Sequence, residues 1–140
     1  MVLLLLGAAL AVPLCPSVPA DAAHVEYGVP VEVLRATAHR ESKCDPRALG
    51  GSGEIGLMQV NPSVWESTLI REGIITDSSD LWDSEVNVRA GAYILARLRR
   101  RSASLYETLR RYNGAGPAAE LYATEQLHVI CAQGLRLACH

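Results

Sequence analysis

Residues 30–62 read PVEVLRATAHRESKCDPRALGGSGEIGLMQVNP, and the punctuation of that stretch decides the fold. Val31, Leu34 and Ala38 share one stripe at helical spacing and Pro30 suits a first turn, so a helix is expected from Pro30 to about Ser42. Asp45-Pro46 ends it, because the residue before a proline disfavours helical geometry. Gly50-Gly51-Ser52-Gly53-Glu54-Ile55-Gly56 is too rich in glycine for a helix or a regular strand and reads as a loop. Asn61-Pro62 then opens a second helix by its cap and proline signals, with Val64, Trp65 and Leu69 apolar and Gly73 as its stop.

Toward the C-terminus the same grammar repeats. Residues 74–82 read as a loop, and a third helix is expected from Asp83-Ser84 to about Arg100, with Val86, Ala90, Tyr93, Ala96 or Arg97, and Leu98 in an imperfect stripe. Ser104 and Glu107 form a capping-box signature for a fourth helix ending at Asn113-Gly114. Pro117 opens a fifth, with Leu121, Leu127 and Ile130 apolar, stopping near Gly134. No strand alternation persists and no internal repeat is visible. The expectation is a compact, all-α single domain of about five or more helices.

Toward the N-terminus the character changes. Met1 to Val12 is an almost unbroken apolar run, followed by Pro13, Cys15, Pro16 and the small-residue string Val18 to Ala23. This is the pattern of a secretory signal peptide, with cleavage expected after Ala20 or Ala22, although no Lys or Arg precedes Arg35. Twelve apolar residues ending at a proline are short for a membrane span of about 20. The resulting division is a signal peptide at residues 1–22 and a domain at 23–140, exported to the periplasm or cell envelope. Lipidation at Cys15 is the lesser alternative. Cleavage leaves Cys44, Cys131 and Cys139, hence at most one bridge and one thiol. Either Cys44 pairs with the C-terminal segment or Cys131 pairs with Cys139.

Composition narrows the function. The 140 residues are 49% hydrophobic, and 13 Lys+Arg against 15 Asp+Glu give a net charge of −2. So apolar a chain buries a core and is not disordered. The slight acidity argues against a nucleic-acid partner. No C-x-x-C or H-E-x-x-H spacing occurs, so no metal and no cofactor is expected. Cys44 lacks an evident general base for nucleophilic catalysis. The arginines at 97, 99, 100 and 101 close a helix, where the dipole favours cations, and read as a solvated helix end.

Three places look chemical, and each alone has an ordinary reading. Glu41 lies at a helix end beside Ser42, where a Glu is usually solvated surface. Leu57-Met58-Gln59-Val60 follows the glycine loop, where Met58 would be core. Tyr112-Asn113-Gly114-Ala115-Gly116 is a plain helix stop. Taken together with Asn87 and Tyr122, their order and spacing resemble the soluble lytic transglycosylase catalytic domain over roughly residues 25–130. The resemblance is in particular to small, single-domain members that accompany secretion, conjugation or pilus machines.

That resemblance implies a lysozyme-like α-helical fold, acting as a monomer on the β-1,4 bond between N-acetylmuramic acid and N-acetylglucosamine of peptidoglycan. It implies Glu41 as acid and then base, assisted by Tyr112, with closure of a 1,6-anhydromuramic ring. It implies Ser42, Met58, Gln59, Asn113 and Tyr122 around the substrate. Glycosidases that use water carry two carboxylates. Asn61 stands where goose-type lysozymes commonly place an Asp, which favours the non-hydrolytic route, and Glu54 is the second acid to watch. A hydrolytic muramidase and a non-catalytic wall-binding assembly factor are the alternatives.

Overall fold

The computed structural model describes residues 14–139. Six α-helices follow in order: α1 (Asp21–Tyr27), α2 (Val31–Ser42), α3 (Pro62–Arg71), α4 (Ser84–Arg99), α5 (Leu105–Asn113) and α6 (Pro117–Ala132). Short 3-10 helices occupy Ser78–Trp82 and Arg136–Cys139. Among the described residues the only extended pairings are isolated bridges of Ile55 with Leu49 and Val60. The all-α expectation therefore holds, and the caps explain where helices begin. Asn61 Oδ1 accepts from the Ser63 amide at 3.0 Å, Asp83 Oδ1 from Val86 at 3.0 Å, and Ser104 Oγ from Glu107 at 3.1 Å. Each such cap contributes about 1 kcal/mol.

Helix α2 ends at Ser42 as expected, but the stop is made ahead of Asp45-Pro46, where Lys43 and Cys44 turn left-handed (φ 52° and 64°) and the Lys43 amide closes onto His39 O at 2.9 Å. Two further features differ from the sequence reading. Residues 78–82 coil into a 3-10 turn, since Asp77 accepts from Ser79 and Asp80 accepts from the Thr76 amide and hydroxyl at 2.7 and 2.8 Å. Val64 and Leu121 are exposed rather than in the core. On α6 the inward face is instead Ala119, Tyr122, Ala123, Gln126 and Ile130.

The N-terminal segment is the larger departure. The apolar run at residues 1–12 lies outside the described residues, but the small-residue string after it is packed. Cys15, Val18, Ala20 and Ala23 are all buried, and α1 begins at Asp21. Cys15 is bonded to Cys44, and Cys131 to Cys139, so the C-terminal pair takes the local option and no described cysteine is free. In the chain with Cys15 present all four cysteines are paired, whereas the expectation of one thiol was for a chain without it. A cut after Ala20 or Ala22 would delete half of one bridge together with Val18 and Ala20. The bridge also consumes the sulfur that lipidation would need.

Helix α4 forms the centre, with Val88, Ala90, Ala92, Ile94 and Leu95 buried. Its small residues admit close neighbours. A Cβ added at Gly91 would lie 2.7–2.8 Å from three atoms of Met58, so only glycine lets the Met58 loop seat there. One turn earlier, Asn87 is 1% exposed and bonded in three directions. Its Oδ1 accepts from the Met58 amide at 2.8 Å, and its Nδ2 donates to Ile55 O and Leu81 O, each at 2.8 Å. The loop pairs part of its backbone within itself, through Ile55 with Val60 and Gly56 with Ala48, and Asn87 satisfies the Met58 amide that those bonds leave over.

Asn87→Ala leaves the buried Met58 N–H without its acceptor and takes a donor from Leu81 O and Ile55 O, the latter keeping the Val60 amide, and is expected to lower stability by about 2 kcal/mol or more in denaturant titration. Thiol titration of the denatured, unreduced protein retaining Cys15 is expected to find no free thiol.

Candidate active site

Glu41 sits in the last turn of α2, half-buried, beside the inward-facing Ala38 and Ser42. Helix α6 crosses α2 so that the Tyr122 hydroxyl donates to Glu41 Oε1 at 2.7 Å. The other carboxyl oxygen has no hydrogen-bond partner among the described residues. Tyr112, on α5, donates instead to the backbone oxygen of Met58 at 2.7 Å. The structure thus gives the two tyrosines different work from that expected: Tyr122 engages the carboxyl, while Tyr112 fastens the loop. Met58 is fully buried between that contact and α4.

Burial raises the Glu41 pKa above its ordinary 4.5, opposed in part by the Tyr122 hydrogen bond and the charge of Arg40, and supported by the charge of Glu54. A carboxyl so placed keeps its proton to higher pH than a solvated one, which is what a general acid needs. Both tyrosines are pushed up, chiefly by burial and then by the charge of Glu41, so they remain protonated donors.

The other expected residues separate into occupied and open groups. Gln59 has a left-handed backbone (φ 49°), and its Nε2 donates to Ala48 O at 3.1 Å and Gly56 O at 3.0 Å. Its amide nitrogen therefore holds the loop that the strained backbone turns. The Ser42 hydroxyl donates to Ala38 O at 2.9 Å, inside its own helix. Asn113 is exposed at the end of α5 and open to a ligand. Asn61 is engaged as the cap of α3. Glu54 accepts from the Ser52 amide at 3.0 Å, so this second carboxylate is tied to its loop. Arg111 pairs with Glu107 at 2.8 Å on the surface.

Sequence reasoning missed Arg40 and Glu125. The Arg40 guanidinium lies 5.6 Å from the Tyr122 ring centroid and pairs with Glu125 at 2.9 Å. Adjacency to Glu41 and the three-residue step from Tyr122 to Glu125 were the available signals. A separate cavity of about 770 Å3 is walled by Val33, Leu95, Leu105 and Leu127 and contains none of these site residues. Among the described residues its lining holds no carboxylate or histidine.

Among curated proteins no significant relative is found. A solved structure of an inactive mutant of the lytic transglycosylase Slt from Pseudomonas aeruginosa superimposes with a TM-score of 0.72 at 20% identity. The match covers 83% of this chain and 23% of that one, so this chain spans about a quarter of its length. At that identity the likeness establishes a common fold. The profile of the transglycosylase SLT domain matches residues 19–126, well over half of the sequence. The chain therefore belongs to the transglycosylase SLT domain family.

Proposed function

We propose that the protein is a peptidoglycan lytic transglycosylase that cleaves the β-1,4 bond between N-acetylmuramic acid and N-acetylglucosamine. The observation that carries this reading is the half-buried Glu41 with one oxygen fixed by Tyr122 and the other open, in a chain of the transglycosylase SLT family. Protonated Glu41 gives its proton to the glycosidic oxygen as the C1–O bond breaks. The resulting carboxylate takes the proton of the muramic C6 hydroxyl, whose oxygen closes on C1 to form the 1,6-anhydro ring. The proton returns to Glu41 and no water enters. One carboxyl serves both steps, so a raised pKa suits the first and the Tyr122 donor stabilises the charge present in the second.

The carbohydrate is read as lying along the loop that ends in Met58 and Gln59, with Asn113 and the oxygens of Ser42 and Gln59 as its polar contacts. Tyr112 supports that wall through Met58. The one-carboxyl route is supported by Asn61 being a cap and by Glu54 having an oxygen bonded within its loop, since a hydrolytic glycosidase uses a paired acid and base. The charge of Glu54 does reach Glu41, and that favours a hydrolytic muramidase as the second reading.

Export to the periplasm or envelope is part of the proposal, since the substrate lies there. The packing of Cys15, Val18 and Ala20 supports a processing cut that leaves Cys15 in the mature chain rather than one after Ala20 or Ala22. The resemblance in sequence extends the proposal to local clearance of the wall for a secretion, conjugation or pilus machine.

Mass spectrometry of fragments released from purified peptidoglycan is expected to show anhydro-muropeptides with the wild-type protein and none with Glu41→Gln. Reducing-end fragments would favour the muramidase, and undiminished release by the variant would overturn the site. Stability gives a second check. The folded pKa of Glu41 exceeds the unfolded one, so the native state binds more protons between the two values and stability falls as pH rises through that window. Glu41→Gln removes this loss. Its Tm is expected to exceed the wild-type value at pH 7, and the difference to vanish below the ordinary carboxyl pKa of 4.5.

A further inference from the structure

We propose that Arg40, held in place by Glu125, is a positioning residue for the reaction at Glu41, clamping the Tyr122 ring so that its hydroxyl engages one carboxyl oxygen and leaves the other to the substrate. The inference rests on the reading of Glu41 as acid and base.

The geometry is a closed set of four side chains, two from each of two helices. On α2, Arg40 and Glu41 are consecutive; on α6, Tyr122 and Glu125 are three residues apart and so neighbours on the helix surface. Tyr122 reaches Glu41 at 2.7 Å, Arg40 reaches Glu125 at 2.9 Å, and the guanidinium covers the ring face at 5.6 Å from its centroid. The two bridges thus run in parallel between the helices, with the cation–π contact as the cross-link between them.

Stability does not explain the outer pair. Arg40 and Glu125 are each 44% exposed, and exposed ion pairs contribute little to folding. Their effect is on freedom of motion. An unpaired arginine samples many rotamers, and Glu125 selects the one that lies over the ring. The ring in turn fixes the phenol, and the phenol decides which carboxyl oxygen is engaged. Arg40 also opposes the upward pull of burial on Glu41, which keeps the carboxylate of the second step within reach. The groups acting on Glu41 are Tyr122 from α6, Arg40 from α2 and Glu54 from the glycine loop, and the charge of Glu41 in turn raises Tyr112 on α5.

The test measures kcat and KM on purified peptidoglycan across pH for Arg40→Gln, Arg40→Lys and Glu125→Gln, beside Glu41→Gln. Arg40→Gln is expected to lower kcat roughly tenfold, below the ~100-fold that a 1 Å misplacement can cost, with KM unchanged. Its high-pH limb should move upward, because the lost cation lets Glu41 hold its proton longer. Arg40→Lys keeps the charge but not the planar face, so the limb should stay near wild type while kcat recovers only in part. Glu125→Gln removes an exposed charge from a folded helix and should lower kcat several-fold at unchanged Tm. Wild-type kcat in Glu125→Gln, or a defect in Arg40→Gln confined to KM, would overturn the clamp. Activity in Glu41→Gln would overturn the acid–base reading instead.

Discussion

Everything in the site hangs on one buried amide. Asn87 bonds the Met58 amide, Ile55 O and Leu81 O at once, and thereby ties to helix α4 a loop whose own backbone pairing is limited to isolated bridges. The acceptor faces one way and the donor two others, which is a set that an aspartate or a leucine of similar size does not offer. Once Ile55 and Met58 are held, Gly56 packs so tightly on Asn87 that an added Cβ would lie 2.5 Å from its Nδ2. Gln59 can then adopt its left-handed turn, and Met58 O is left aimed at Tyr112. The loop is a wall because a helix residue far away in sequence makes it one.

The second constraint is the opposition of burial and charge at Glu41. A carboxyl removed from water resists ionisation, while a phenol and a guanidinium nearby favour the charged form. Neither side prevails completely. A group that gives up a proton in one half of a cycle and recovers it in the other is served by that balance, whereas a fully buried or fully solvated carboxyl would perform only one half well.

The sequence made some of this legible and hid the rest for physical reasons. Caps and prolines are local chemistry, so Asn61-Pro62, Asp83, Ser104 and Pro117 mark helix starts within a residue or two. The helix at Asp21–Tyr27 was concealed because alanine-rich small residues serve a processing site and a packed helix equally well. Glu41, Met58 and Tyr112 could be named by their order along the chain. Which tyrosine meets Glu41 could not, since that depends on how α6 crosses α2. The positive φ of Gln59 and the seating of Met58 on Gly91 are likewise properties of the packed molecule. Arg40 and Glu125 each look like surface charges until the helices bring them together.

The bridge from Cys15 to Cys44 links the fold to its redox surroundings. It closes a separation of 29 residues, for which loss of unfolded-chain entropy gives about 3–4 kcal/mol. Cys44 lies just beyond the end of α2, three positions from Glu41. In a thiol-reducing compartment the cross-link is missing, and the helix end that carries the carboxyl loses its covalent tether to the N-terminal segment. Oxidation therefore ties down the helix end that carries Glu41 as well as the N-terminal segment, so the redox state of the surroundings is also a determinant of how firmly Glu41 is held.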